Sequence, residues 1–206
     1  MLETLFAYPR FLGTVTLRLI AAAALVVGLP LPLGVSAALV AVTSLLLARR
    51  SPYGTDGADQ MTLIIFVAAS LAEMIGTPRA RELFLWFVAA QACLAYITAG
   101  VAKSVSPVWR DGRALPGILG TNSYGHRRIG QVLACHQRTA WILGWATIVL
   151  ECVFPSALLG FQPLTYVLLA AMLSFHVAAA FLMRLNTFFW AFTATYPSIL
   201  FCALRS

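Results

Sequence analysis

The chain has 206 residues, 61% of them hydrophobic and only 10% charged, with a mean hydropathy of +0.87. A soluble domain carries about 25% charged and roughly 45–50% apolar residues, so this composition excludes a water-exposed globular surface and makes lipid the solvent for most side chains. The charge balance is basic, with 14 Lys+Arg against 7 Asp+Glu. Those residues stand singly or in pairs beside apolar runs, the pattern of headgroup anchoring and not of a nucleic-acid-binding face.

At about 20 residues per span, the length holds roughly six to eight spans. The expected architecture is all-α, a polytopic transmembrane helical bundle forming a single domain over 1–206. Seven apolar runs are predicted as helices, at 11–29, 33–48, 60–77, 82–103, 139–159, 163–183 and 186–203. The segment before the first run, with Glu3, Tyr8 and Pro9, has no clear small-residue cleavage site, so the first span is expected to stay in the mature chain. The second run is the shortest, bounded by Pro30 and Pro32, and would cross at low tilt or with local thinning of the bilayer. A Pro/Gly/Asp-rich turn, RRSPYGTDGAD from Arg49 to Asp59, leads into the third.

The connector from Ser104 to Arg138 is longer than neighbouring helices need. It holds Arg110, Arg113, Arg127, Arg128, Arg138, His126 and His136. Its second half, RRIGQVLACHQR, sets Ile129, Val132 and Leu133 on one helical face, which predicts a short interfacial helix before the fifth span. Cys93, Cys135, Cys152 and Cys202 form no CxxC pair and read as small apolar fillers. His126 and His136 lack zinc-site spacing, so no metal is expected.

Arg10, Arg49, Arg50, Arg110, Arg113, Arg127, Arg128, Arg138 and Arg184 would gather on one side of the membrane, against Arg79, Arg81 and Arg205 on the other. The positive-inside rule makes the first side cytoplasmic, and seven crossings would put the C-terminus opposite the N-terminus.

A charge at the centre of a span costs about 2.5–3.5 kcal/mol on insertion scales, so each one needs an explanation. Lys103 closes the fourth run after YITAGVA, where a lysine either snorkels to headgroups or acts chemically. Glu151 lies near the middle of the fifth, in IVLECVFP, and Pro155 four residues on clashes with its carbonyl, so the acid coincides with a kink. Two readings stay open: a carboxyl bonded within the bundle, or a proton-handling or ligand-binding group. His176, in MLSFHVAAAF, is either a satisfied neutral imidazole or a base or quinone contact at a similar depth.

Glu73 and Arg184 sit near helix ends and read as anchors, and Arg18, two turns inside the first run, could reach headgroups or a carboxylate. Ala99 and Gly100 permit close helix approach, and Phe188 to Trp190 suit an interfacial belt. There is no Walker loop, GxGxxG, HExxH or GxSxG.

The segment QACLAYITAGVAKSVSPVWRDGRAL resembles the signature of the HTTM (horizontally transferred transmembrane) domain family, whose best-known member is the vitamin K-dependent gamma-carboxylase. Tyr96, Ala99, Gly100, Lys103, Trp109 and Gly112 carry the likeness. Glu151 with Pro155, the segment from Phe175 to Pro197 and the acidic turn at Asp59 extend it over about residues 45–203. The resemblance implies an intramembrane site in which Lys103 takes a proton from a reduced quinone, with Glu151 and His176 as further catalytic groups and Tyr96 and Trp109 as cofactor contacts. An amine pressed against apolar surface gives up its proton more readily and so becomes a usable base.

It also implies a bacterial inner (plasma) membrane location, with membrane lipid and a peptide substrate or partner membrane protein as partners. Against the carboxylase, this chain is expected to lack the large extra-membrane region, to carry Asp59 or a neighbour where that enzyme has a histidine, and to place Lys103 on the cytoplasmic side. Glutamate gamma-carboxylation is therefore not expected. Redox-linked modification of a peptide or small molecule is the leading expectation, beside a non-enzymatic membrane partner or maturation factor and a small transporter using Glu151 and His176.

Overall fold

The computed structural model describes residues 8–28, 31–50, 56–122 and 125–205, apart from the side chain of Arg50. The segment through residue 7, Pro30 and residues 51–55 of the predicted turn lie outside them. Among the described residues the chain consists of helices and their connecting turns, without a strand, and contacts gather it into two compact units, 1–88 and 89–206. The sequence suggests one bundle domain; the boundary between the units falls inside the fourth long helix.

In the first unit α1 (Arg10–Val27) packs on α2 (Leu33–Arg50), and α2 on α3 (Gly57–Ile75). The buried positions are mostly small, including Ala21, Ala24, Ala37, Ala41 and Ala58, which lets helix axes approach where lipid gives no hydrophobic drive to associate. The ends are encoded locally. Gly28 closes α1 at φ 69, Gly76 closes α3 at φ 71, and Asp56 caps α3 by accepting the Asp59 N–H at 2.8 Å. Next comes α4 (Pro78–Val105), 28 residues long, or about 42 Å of helix.

The predicted loop over 104–138 is folded. It contains α5 (Pro107–Arg110), α6 (Ala114–Leu119) and α7 (Arg127–Cys135), followed by α8 (Gln137–Val153). The expected interfacial helix is α7, but its inward face differs from the expected one. Leu133 and Gly130 are buried and Ile129 half-buried, while Val132 is 57% exposed. Gly130 sets this rotation, because a Cβ there would stand 2.9 Å from the Leu119 backbone, so only glycine allows α7 to lie on α6. Leu133 then packs with Leu119 and Ala140, flanked by Ile129, Leu182 and Met183.

Pro155 has no N–H to continue an α-helix, and α8 gives way at Val153 to a 3-10 turn, Phe154–Leu158. Thr165, in the first turn of α9 (Gln162–Met183), ties this turn down by donating its hydroxyl to the Ala157 carbonyl at 2.7 Å.

Five helical segments among the described residues are long and apolar enough to cross a membrane: α1, α3, α4, α8 with its turn, and α9. The seventh predicted run is not one helix. It breaks into α10 (Asn186–Thr193) and α11 (Tyr196–Ala203), each of 8 residues. Thr195 turns its hydroxyl back to the Phe192 carbonyl at 2.6 Å, and Pro197 occupies the first turn of α11, where a missing N–H is tolerated, while its ring opposes the carbonyl four residues back at Thr193 and so stops α10 from running on. The expectation of termini on opposite sides rested on seven crossings and loses that support.

Candidate functional site

Gly100 controls the site in the second unit. A Cβ there would lie 2.7 Å from Cys152 Sγ, 3.0 Å from the Cys152 backbone nitrogen and 3.1 Å from Glu151 Cβ. Glycine therefore lets α4 and α8 meet almost backbone to backbone. Lys103, one turn further along α4, then reaches Glu151: its Nζ donates to Oε1 at 2.9 Å and to Oε2 at 2.8 Å. The two side chains are 19% and 6% exposed. The lysine that could have snorkelled outward instead turns into the bundle.

Trp109 stands beside this pair, with the Lys103 ammonium 5.3 Å from its ring centroid, within cation–π range. Two glycines seat it. Gly144 of α8 leaves room for the Trp109 carbonyl, and Gly112, at φ +75, turns the chain after α5 where a Cβ would strike the Trp141 backbone at 2.7 Å. The Trp109–Gly112 spacing is thus the local geometry that docks α5 on α8.

Two turns before Lys103 on α4, Tyr96 is 3% exposed and hydrogen-bonds through its hydroxyl to His176 Nε2 at 2.8 Å. Aromatic rings enclose this pair. Phe154, fully buried at the α8 break, lies 4.4 Å from the Tyr96 ring. Phe192 stacks on His176 at 5.2 Å and 16°, and Phe188 stacks in turn on Phe192. His176 Nδ1 is buried with no hydrogen-bond partner among the described residues. If Tyr96 donates to Nε2, the neutral ring carries its proton on Nδ1; in the other tautomer Nδ1 is an acceptor. Either way one polar atom of the imidazole is left for a ligand.

Lys103, Glu151 and His176, expected as catalytic groups, and Tyr96 and Trp109, expected as cofactor contacts, all line one cavity of about 220 Å³. The rest of its wall is apolar or aromatic, including Phe175, Phe188 and Phe192. A charged pair is costly to desolvate unless its geometry is good, and here both carboxylate oxygens are engaged. Chemically, the wall offers an ammonium to hold an oxygen, a carboxylate to accept a proton and an unpartnered imidazole nitrogen.

The other charged residues noted in the sequence go elsewhere. Glu73 pairs with Arg81 across the turn from α3 to α4, at 2.9 and 3.0 Å. Arg18 and Asp59 line a separate cavity of about 180 Å³ in the first unit. Phe154, Phe188 and Phe192 were not singled out from the sequence as parts of the site. The signals were faint but present: Phe154 directly precedes the helix-breaking Pro155, and Phe188 and Phe192 are spaced i, i+4, one face of one helix. No family model matches the chain, and no curated protein or solved structure is significantly similar to it.

Proposed function

We propose that this is a small membrane protein of the HTTM type whose cavity in the second unit serves redox-linked modification of a peptide or small molecule, with a reduced quinone as the cofactor. The observation carrying this reading is the Lys103–Glu151 pair, buried but opening on an apolar, aromatic-walled cavity. Such a wall suits a planar apolar ring bearing few polar atoms. Tyr96, Trp109 and Phe192 would hold the ring, and Lys103 and the free nitrogen of His176 would meet its oxygens.

When bound, a reduced quinone supplies electrons and protons that the side chains lack. The chain's own part is to exclude water and to move a proton. In the intact ion pair Lys103 already holds its proton, so the available base is the Glu151 carboxylate. Once that carboxylate takes the proton of a ligand hydroxyl, the Lys103 ammonium is released to hold the oxygen left behind. Lysine here orients and stabilises charge, where the family resemblance alone would make it the base.

The test is anaerobic titration of the detergent-solubilised chain with a short-chain naphthohydroquinone, followed by tryptophan fluorescence. Saturable binding is expected, weakened about tenfold or more in Lys103→Ala, the scale of one charge-assisted hydrogen bond. Absence of saturable binding to the folded wild-type chain would remove the quinone, and undiminished binding in Lys103→Ala would remove Lys103 from the site.

A further inference from the structure

A second feature of this unit lies beyond the Lys103 cavity. Arg127 and Arg128 in the first turn of α7 and Arg184 at the C-terminal end of α9 line one open pocket of about 390 Å³, with His126 and Gly125. None of the three arginines forms an ion pair with a carboxylate among the described residues. Arg184 also holds a left-handed conformation, φ 59, where glycine is the usual helix terminator. Three exposed arginines lining one pocket concentrate positive charge there, and arginine is the side chain best matched to phosphate oxygens.

An apolar groove of about 250 Å³ begins where these arginines end. Ile129 follows Arg128 and Met183 precedes Arg184, and both line the groove together with Leu119, Leu133, Leu182 and Phe175. One amphipathic helix, α7, therefore borders a cationic pocket at its start and an apolar trough along its inward face. A soluble phosphate compound would use only the first of these; a phosphate attached to a hydrocarbon chain would use both.

We infer that Arg127, Arg128 and Arg184 bind the phosphate of one anionic membrane phospholipid, with an acyl chain lying in the groove between α7 and α9. The groove shares Leu115, Phe175, Ala179 and Met183 with the Lys103 cavity, so the bound chain forms part of that cavity's wall. The site stands whatever chemistry the cavity performs.

The experiment is native mass spectrometry of the full chain in mild detergent, titrated with dioleoylphosphatidylglycerol, with dioleoylphosphatidylcholine, and with inorganic phosphate as competitor. Phosphatidylglycerol is expected to be retained about tenfold more tightly than phosphatidylcholine, the scale set by basic side chains near an anionic headgroup. R127Q/R128Q/R184Q should abolish the difference and the matching lysine variant should keep most of it. Ala178, on α9, also lines the groove, and Ala178→Trp, which fills it, should weaken phosphatidylglycerol retention with the charges intact. Equal retention of the two lipids by the wild-type chain overturns the proposal without recourse to any variant. Displacement of the lipid by millimolar phosphate would reassign the pocket to a soluble anion, and unchanged retention in Ala178→Trp would remove the acyl chain from the groove.

Discussion

Each unit of the chain contains a bidentate ion pair of nearly the same length. Glu73–Arg81 in the first unit closes at 2.9 and 3.0 Å, and Lys103–Glu151 in the second at 2.9 and 2.8 Å. Distance does not distinguish them; surroundings do. The first joins two helix ends across a short turn, with its side chains 55% and 26% exposed. The second is 19% and 6% exposed and forms part of a cavity wall. An exposed pair needs no function to explain it. A buried pair is often no more stable than apolar residues of the same size, so its presence asks for a reason outside folding.

The largest expected effect breaks that comparison directly. Glu151→Ala leaves the Lys103 ammonium buried without its counter-ion and is expected to destabilise the chain by about 3 kcal/mol. Glu73→Ala is expected to leave the thermal unfolding midpoint in detergent nearly unchanged. The double variant K103M/E151Q removes both charges and should return most of the lost stability. If the double variant unfolds as readily as Glu151→Ala, the pair is a structural fastener and the argument from its burial to function fails.

A smaller effect sharpens the comparison at the helix contacts. Gly100→Ala forces Cys152 Sγ, 2.7 Å from the new Cβ, to move and presses on the Glu151 Cβ, for a cost of about 1–3 kcal/mol. The corresponding contact of the first unit is looser: a Cβ at Gly34 would sit 3.2 Å from Glu73 Cβ, which a few tenths of an ångström relieves. Gly34→Ala should therefore unfold close to wild type. Equal destabilisation by the two substitutions would mean that Gly100 does not set the approach of α4 to α8.

The units also differ in how much of them could be read in advance. Lys103, Glu151 and His176 stood out because a polar group in an apolar run is expensive wherever the run lies. Their partners did not stand out. Lys103 meets a residue 48 positions away and Tyr96 one 80 positions away, and sequence periodicity carries no information about which faces of distant helices meet. The aromatic enclosure was hidden for another reason, since Phe154 and Phe192 are ordinary residues in apolar helices until their neighbours are known. The break at 194–195 was legible in Pro197 and was hidden by the unbroken hydropathy around it. The rotation of α7 was set by Gly130, whose lack of a side chain matters only once Leu119 lies against it. In the first unit, where helix follows helix with small residues between, the chain-order pattern was nearly sufficient.

The smallest expected effect tests whether the two pairs differ in environment at all. Raising ionic strength from 0.1 M to 1 M shortens the screening length from about 10 Å to about 3 Å, and it acts only on charges that mobile ions can approach. Any difference in melting temperature between Arg81→Gln and the wild-type chain at low salt should vanish at high salt, because that pair is open on one side. The difference between Lys103→Gln and wild type should persist, since its partner carboxylate is enclosed by Gly100, Cys152 and the cavity wall. If salt erases both differences alike, ions and water reach the Lys103–Glu151 pair freely. A cavity so wetted could not discriminate in favour of an apolar ring, and the proposed cofactor would lose its physical basis even with the ion pair in place.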